Sequence, residues 1–273
     1  MRIPFTKMSG SGNDFILIDH REPFLKEDRL KDFVQKACRR RVSVGADGLI
    51  LIERSKEADF KWRFYNADGS EAEMCGNGGR CAARFAYLKE IAGPSLKFET
   101  LAGILSATVD GKRVKLEMTN PFGLKLDEAV LVDGKKEVFS FINTGVPHAV
   151  LFREDLEKLD IVKIGRAIRR HSHFAPAGTN VNFFRVEKGN QLSVRTYERG
   201  VEDETLACGT GVVASALIAG FKGLAKSPVS VKTRGGEALT VHFEIEGREV
   251  KRVFFEGDVH IIYEAEMWEE AYQ

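Results

Sequence analysis

The chain repeats itself at an offset of 133 residues, which restricts it to folds built from two similar halves. Gly12 falls on Gly145, Gly45 on Gly178, Glu71 on Glu204, Cys75 on Cys208, Gly76 and Gly78 on Gly209 and Gly211, Thr100 on Thr233, and Gly103 on Gly236. A duplicated fold tends to pack about a pseudo-twofold axis, so equivalent residues are expected to face one another, as they do across an isologous contact. Two thiols, one from each half, could then flank one pocket.

Length agrees with the repeat. At 273 residues there is enough chain for two domains, each burying its own core. Forty-one basic and forty acidic residues leave a net charge of +1, which gives no electrostatic case for nucleic acid or an anionic membrane and favours a small-molecule or protein partner. The N-terminal Met1-Arg-Ile-Pro-Phe-Thr-Lys has no apolar signal core. The longest uncharged run, Thr205 to Phe221, carries three glycines and is expected to be a buried helix, not a membrane span. Four cysteines without a signal peptide point to a reducing, cytoplasmic compartment and unlinked thiols.

Short strand-like runs recur at Phe15 to Ile18, Leu49 to Ile52, Trp62 to Tyr65, Leu96 to Phe98 and Val114 to Met118. In the second half they recur at Ala149 to Phe152, Val181 to Val186, Leu192 to Tyr197, Val229 to Val231, Leu239 to Ile245 and Arg252 to Phe255. Helix-period stretches fall at Leu30 to Cys38, Gly78 to Lys89, Ile161 to Arg169 and Gly211 to Phe221. The last is apolar on every face and must be enclosed, so a sheet wrapped around it is expected. The class is therefore α+β: two pseudo-symmetric mixed domains, each a sheet around a central helix. Asn120-Pro121-Phe122 interrupts the pattern near the middle. We expect domains at 1–120 and 121–257, with a strand at Val259 to Tyr263, in the segment of about 258–273, returning to the first.

Each equivalent cysteine precedes Gly-x-Gly and then a helix, as Cys75-Gly-Asn-Gly and Cys208-Gly-Thr-Gly. A helix start offers unpaired N–H groups and the positive end of the dipole, which favour a thiolate and can hold an anion. Any one such cysteine is ordinarily a small core residue; two at matched positions favour a chemical role. Opposed acid and base groups suit removal of a proton from one face of a carbon and its replacement on the other, which is racemisation or epimerisation. A binding protein without turnover and a thiol-disulfide protein remain open on the residues alone, although the two cysteines are not a Cys-x-x-Cys pair. Cys81 and Ala214 stand where a dinucleotide fingerprint needs its third glycine, and no zinc-ligand spacing is present, so neither a cofactor nor a metal is expected. Cys38 and Cys81 lack partners in the repeat and are read as structural, and Glu71 and Glu204 as loop anchors bonded to backbone.

Along nearly its whole length the chain resembles the diaminopimelate epimerase family. The residues that carry the resemblance are Ser11-Gly-Asn-Asp-Phe, Gly45-Ala-Asp-Gly, Tyr65-Asn-Ala-Asp-Gly-Ser, Cys75-Gly-Asn-Gly-Gly-Arg-Cys, Gly178-Thr-Asn-Val, Tyr197-Glu-Arg-Gly and Glu204-Thr-Leu-Ala-Cys-Gly-Thr-Gly. The resemblance implies a cofactor-independent enzyme, usually a homodimer, that interconverts LL- and meso-2,6-diaminopimelate for lysine and peptidoglycan synthesis. By position, Cys75 and Cys208 match the two bases. Gly76, Asn77, Gly209 and Thr210 match the cradle of the reacting carboxylate. Asn13, Asn66, Asn180, Glu198 and Arg199 match the groups that recognise the distal end of the substrate, and His148 matches a residue beside the site. A guanidinium forking onto a carboxylate and a carboxylate taking an ammonium suit Arg199 and Glu198 to that end. Two departures from the family pattern are Val146 in Gly145-Val-Pro-His and one additional residue between Arg199 and Cys208.

Overall fold

The computed structural model describes residues 2–273. Contacts divide it into two compact units: Met1–Glu117 with Gly257–Gln273, and Met118–Glu256. No helix among the described residues is long and apolar enough to cross a membrane.

The first unit runs β1 (Ile3–Gly10), β2 (Asn13–Asp19), α1 (Glu27–Ala37), β3 (Gly48–Glu53), β4 (Phe60–Asn66), β5 (Glu71–Ala72), α2 (Gly76–Leu88), β6 (Ser95–Thr100), β7 (Gly103–Asp110) and β8 (Arg113–Glu117). The second runs β9 (Phe122–Val132), β10 (Lys135–Asn143), β11 (Pro147–Phe152), α3 (Ile161–Arg169), β12 (Asn180–Glu187), β13 (Gln191–Glu198), β14 (Asp203–Thr205), α4 (Gly209–Phe221), β15 (Val229–Lys232) and β16 (Ala238–Glu246). A long last strand, β17 (Glu249–Met267), starts in the second unit, paired with β16, and ends in the first, paired with β1.

Followed strand to strand, the pairings of the first unit read β17–β1–β2–β3–β4–β6–β7–β8 and return to β17, an eight-stranded closed ring. The sheet is mixed, with β2 and β3 parallel and β3 and β4 antiparallel. Strand β3 is covered on both faces, which is why it reads Gly-Leu-Ile-Leu-Ile with no polar alternation. Leu49 and Leu51 pack outward with Leu30, Phe33, Val34 and Ala37 of α1, while Ile50 lies inward beside Gly78 of α2. A side chain at Gly79 would come within 2.8 Å of Leu116, so the central helix reaches the strands only because it starts with small residues.

In the second unit the pairings run β9–β10–β11–β12–β13–β15–β16–β17 around α4. This helix is buried from Gly211 to Ala219, in agreement with its all-round apolar sequence. On the other face α3 packs Ile161 and Ile168 with Leu151, Val181 and Phe183, and a Cβ on Gly165 would meet that of Tyr197 at 2.4 Å. Helices α2 and α4 occupy equivalent positions in the repeat. The shared glycines share backbone too: Gly12 and Gly145 have φ of 88° and 105°, Gly45 and Gly178 of 72° and 69°. Both helices start two residues earlier than the sequence pattern alone suggests, because the cysteine before each is its N-cap.

Four long strands lie outside the apolar runs read from sequence: β1, β7, β9 and β10. Strand β9 alternates half-buried and exposed residues for most of its length, and β10 opens on Lys-Lys-Glu, so neither gives an apolar run.

Candidate active site

In the first unit Cys75 caps α2 from an extended conformation, φ −146° and ψ 116°, and its Sγ accepts the Gly78 N–H at 3.4 Å. The Gly79 N–H bonds to the Cys75 carbonyl at 2.7 Å. Gly76 and Asn77 therefore fall in the first turn, where the helix itself supplies no acceptor for their amides. A thiol whose sulfur accepts a backbone N–H at a helix N-terminus is favoured as thiolate, and adjacent amides suit a carboxylate. Asn77 is buried and donates through Nδ2 to Asn13 Oδ1 at 2.9 Å. Asn13 in turn donates to Asp47 Oδ2 at 2.9 Å. The side chain of Asn66, the last residue of β4, is exposed and donates across the β4–β5 turn to Ser70 Oγ at 3.1 Å.

In the second unit Cys208 caps α4 with φ −117° and ψ 106°, and its Sγ lies 3.6 Å from Thr210 Oγ1. Gly209 and Thr210 repeat the amides of Gly76 and Asn77, and the Val212 N–H repeats the bond to the capping carbonyl at 2.9 Å. Asn180 is buried; its Oδ1 accepts the Arg199 N–H at 2.8 Å and its Nδ2 donates to the Pro147 carbonyl at 3.2 Å. Asn180 thus ties β11 to Arg199, which directly follows Glu198 at the end of β13. Burial raises the Glu198 carboxyl above its usual range, with Thr205 working against it. The Arg199 guanidinium donates to the Ala177 carbonyl at 3.2 Å. His148 is fully buried against Asn182, and burial first, then the Arg199 charge, pushes its pKa down from 6.5 to about 3.

Glu71 and Glu204 anchor their loops through arginine side chains, not the backbone expected from sequence. Arg63 meets Glu71 with Nε–Oε1 at 2.9 Å, and Arg195 meets Glu204 with two bonds of 2.7 Å. Tyr65 lies opposite Glu71 and Tyr197 opposite Glu204 in register, so the single added residue sits in the β13–β14 turn. Glu202 secures that turn by accepting from Arg169 at 3.1 Å, from the Gly200 N–H at 3.2 Å and from the Tyr197 hydroxyl at 3.2 Å. Sequence reasoning passed over Asp47, Arg80 and Asn182, although all three lie inside or beside the motifs it picked out.

This arrangement of two like units, each a sheet around a helix headed by a cysteine, belongs to a fold shared by racemases, epimerases and PhzF-type proteins. The chain superposes with a TM-score of 0.73 on a Bacillus anthracis phenazine biosynthesis protein of the PhzF family, covering 98% of this chain and 99% of that one at 15% identity. It superposes at 0.72 on a probable proline racemase from Agrobacterium radiobacter K84, covering 96% and 92% at 14% identity. At such identities the likeness is one of fold. Sequence is more specific: residues 5–122 and 140–261 match the family model described as diaminopimelate epimerase. The chain is 52% identical to the diaminopimelate epimerase of Aquifex aeolicus, over 97% of this chain and 98% of that one. It is 48% identical to that of Archaeoglobus fulgidus, over 86% and 88%. The chain belongs to the diaminopimelate epimerase family, and with it to the isomerases that act on amino acids.

Proposed function

We propose that the chain interconverts LL- and meso-2,6-diaminopimelate by a two-base route in which Cys75 and Cys208 are the bases. One thiolate removes the α-proton from one face of the reacting carbon and the opposite thiol delivers a proton to the other face; in the reverse direction the roles exchange. Amides of Gly76, Asn77, Gly209 and Thr210 hold the reacting carboxylate and stabilise the negative charge that develops beside it. Asn13, Asn66, Asn180, Glu198 and Arg199 recognise the distal amino-acid end. His148 shapes the site from behind Asn182. The observation that carries this reading is the equivalence of the two helix starts, each capped by a cysteine and each leaving two adjacent amides without a helical acceptor.

Incubation with the LL isomer in deuterated water tests it. Deuterium at one α-carbon and accumulation of the meso isomer are expected; absence of both, with the thiols reduced, would overturn the proposal. Cys75→Ala and Cys208→Ala should each lower kcat by about a thousandfold, the scale of a lost proton-transfer group. Tight calorimetric binding with unaltered stereochemistry would instead favour a binding protein, and turnover of proline the related racemases.

The same reading includes a cytoplasmic location, which suits thiols that must stay reduced, and a homodimer. Exposure of Ile261, Ile262 and Tyr263 on β17, at 41%, 51% and 42%, supports a self-association surface. Light scattering on the purified protein checks the mass.

A further inference from the structure

We infer that Arg80 and Asp47 are positioning residues that hold the Asn13 side chain as a hydrogen-bond donor toward a substrate carboxylate, an inference that rests on the epimerase reading above. Arg80 lies on α2 and is fully buried. Its Nη2 donates to Asn77 Oδ1 at 2.8 Å and to Ser11 Oγ at 2.5 Å, and its Nη1 to the Asp258 carbonyl at 3.4 Å. A guanidinium only donates, so the Asn77 oxygen must face it and the Asn77 nitrogen must point away. That nitrogen donates to Asn13 Oδ1, and the Asn13 nitrogen then donates to Asp47 Oδ2, each at 2.9 Å. A carboxylate only accepts, so the far end enforces the same sense. Asp47 is itself fixed by Arg40 Nη2 on Oδ1 at 2.7 Å and by the Asp14 N–H on Oδ2 at 3.2 Å.

Two amides strung between a cation and an anion have one polarity. Turning Asn77 over sets N–H against the buried guanidinium, and turning Asn13 over sets oxygen against the carboxylate; each exchanges a hydrogen bond for a repulsive contact. One N–H of Asn13 remains, and Asn13 is partly exposed, so what it presents to a ligand is a donor. A diamino dicarboxylate carries ammonium groups, which only donate, and carboxylates, which only accept. Asn13 is matched to the second kind. The other half of the repeat has no such relay, since Val146, Thr210 and Val213 stand where Asn13, Asn77 and Arg80 would be. There the Thr144 hydroxyl donates to the Thr210 carbonyl at 3.0 Å instead. A directed donor in one half only gives the substrate a preferred orientation.

Steady-state kinetics on the LL isomer test the inference, using wild type, Asp47→Asn, Arg80→Met, Arg80→Lys and the Asp47→Asn/Arg80→Met double variant. In Asp47→Asn a single oxygen is contested by Arg40 at one position and by Asn13 with the Asp14 N–H at the other, so the amide no longer enforces the sense of the relay. KM is expected to rise about tenfold with kcat within about threefold, and Arg80→Met should do the same. Arg80→Lys, whose ammonium also only donates, should recover most of the loss. The double variant should raise KM no further than the larger single change, because both act through one chain of bonds. Multiplying effects, or an unchanged KM in Asp47→Asn, would overturn the inference. The Asp47 side chain is 38% exposed, so that variant decides the matter even where loss of the buried Arg80 prevents folding. Wild-type turnover with an unchanged Asp47→Asn overturns the positioning alone; no wild-type turnover overturns the reading beneath it.

Discussion

Asn182 Nδ2 donates to His148 Nδ1 across 3.0 Å, and both side chains are fully buried. The direction of that bond follows from its surroundings: Asn182 Nδ2 also lies 3.3 Å from the Ala149 carbonyl, and Asn182 Oδ1 accepts the Thr196 hydroxyl at 2.9 Å. The histidine is therefore held as the tautomer that keeps its proton on Nε2, an atom with no hydrogen-bond partner among the described residues.

Because the folded His148 titrates near 3 and an unfolded histidine near 6.5, the unfolded chain binds a proton in that interval that the folded chain refuses. Its contribution to stability is whole above pH 6.5 and declines as pH falls toward 3. Urea unfolding measured across this window should show wild-type stability falling more steeply with acidity than that of His148→Gln. Equal slopes would mean that the ring is not held neutral.

Cys38 and Cys81 are buried, and burial pushes both thiols up to about 12. Below that pH they are not nucleophiles. Alkylation with iodoacetamide at pH 8, followed by mass spectrometry, should mark Cys75 first and leave Cys38 and Cys81 unmodified in the folded protein. Cys38→Ala and Cys81→Ala should keep kcat within about twofold, since neither thiol sits at a helix start.

Gly211 admits no side chain. A Cβ there would stand 2.2 Å from Asn182 Oδ1 and 3.3 Å from Cys208 Sγ. Asn182 cannot retreat without breaking its bonds to His148 and Thr196, so Gly211→Ala should destabilise the protein by about 2 kcal/mol, the scale of overpacking. It should also reduce kcat by displacing Cys208. Thermal melting and turnover on one preparation check both; an unaltered kcat would dissociate Gly211 from the position of the thiol.

Lys7 is buried and pairs with Asp14 at 2.9 Å, and Arg40 reaches the same carboxylate at 2.6 Å. Burial alone would raise the Asp14 carboxyl, but Arg40 and Lys7 together hold it down at about 2. A carboxyl lowered in the folded state supplies stability that is whole above about pH 4 and lost as pH falls toward 2. Asp14→Asn leaves the Lys7 charge buried without its carboxylate and should cost about 3 kcal/mol by chemical denaturation at pH 7. A loss of a few tenths would show that the pair is solvated.

The sequence by itself carried a good part of this. An offset of 133 residues, with glycines repeated where the backbone turns left-handed, specifies two like halves because only glycine enters such conformations freely. The uninterrupted apolar run of α4 specifies enclosure, since a helix without a polar face cannot meet water. Cys75 and Cys208 were legible because their Gly-x-Gly surroundings mark a helix start. Strand β1 was not. It reads Ile-Pro-Phe-Thr-Lys-Met-Ser-Gly, and its Lys7 is buried only because Asp14 and the Gly45 carbonyl, distant in sequence, come to meet it.

Tertiary structure alone decided the rest: that Glu71 and Glu204 seize arginines on the neighbouring strand, that Asn182 governs His148, and that Arg80 and Asp47 impose one direction on the amides between them. Local sequence records which groups can donate and which accept. Which donor meets which acceptor depends on strands and helices that are brought together only when the core closes, and an amide side chain has no inherent orientation until charged neighbours assign it one.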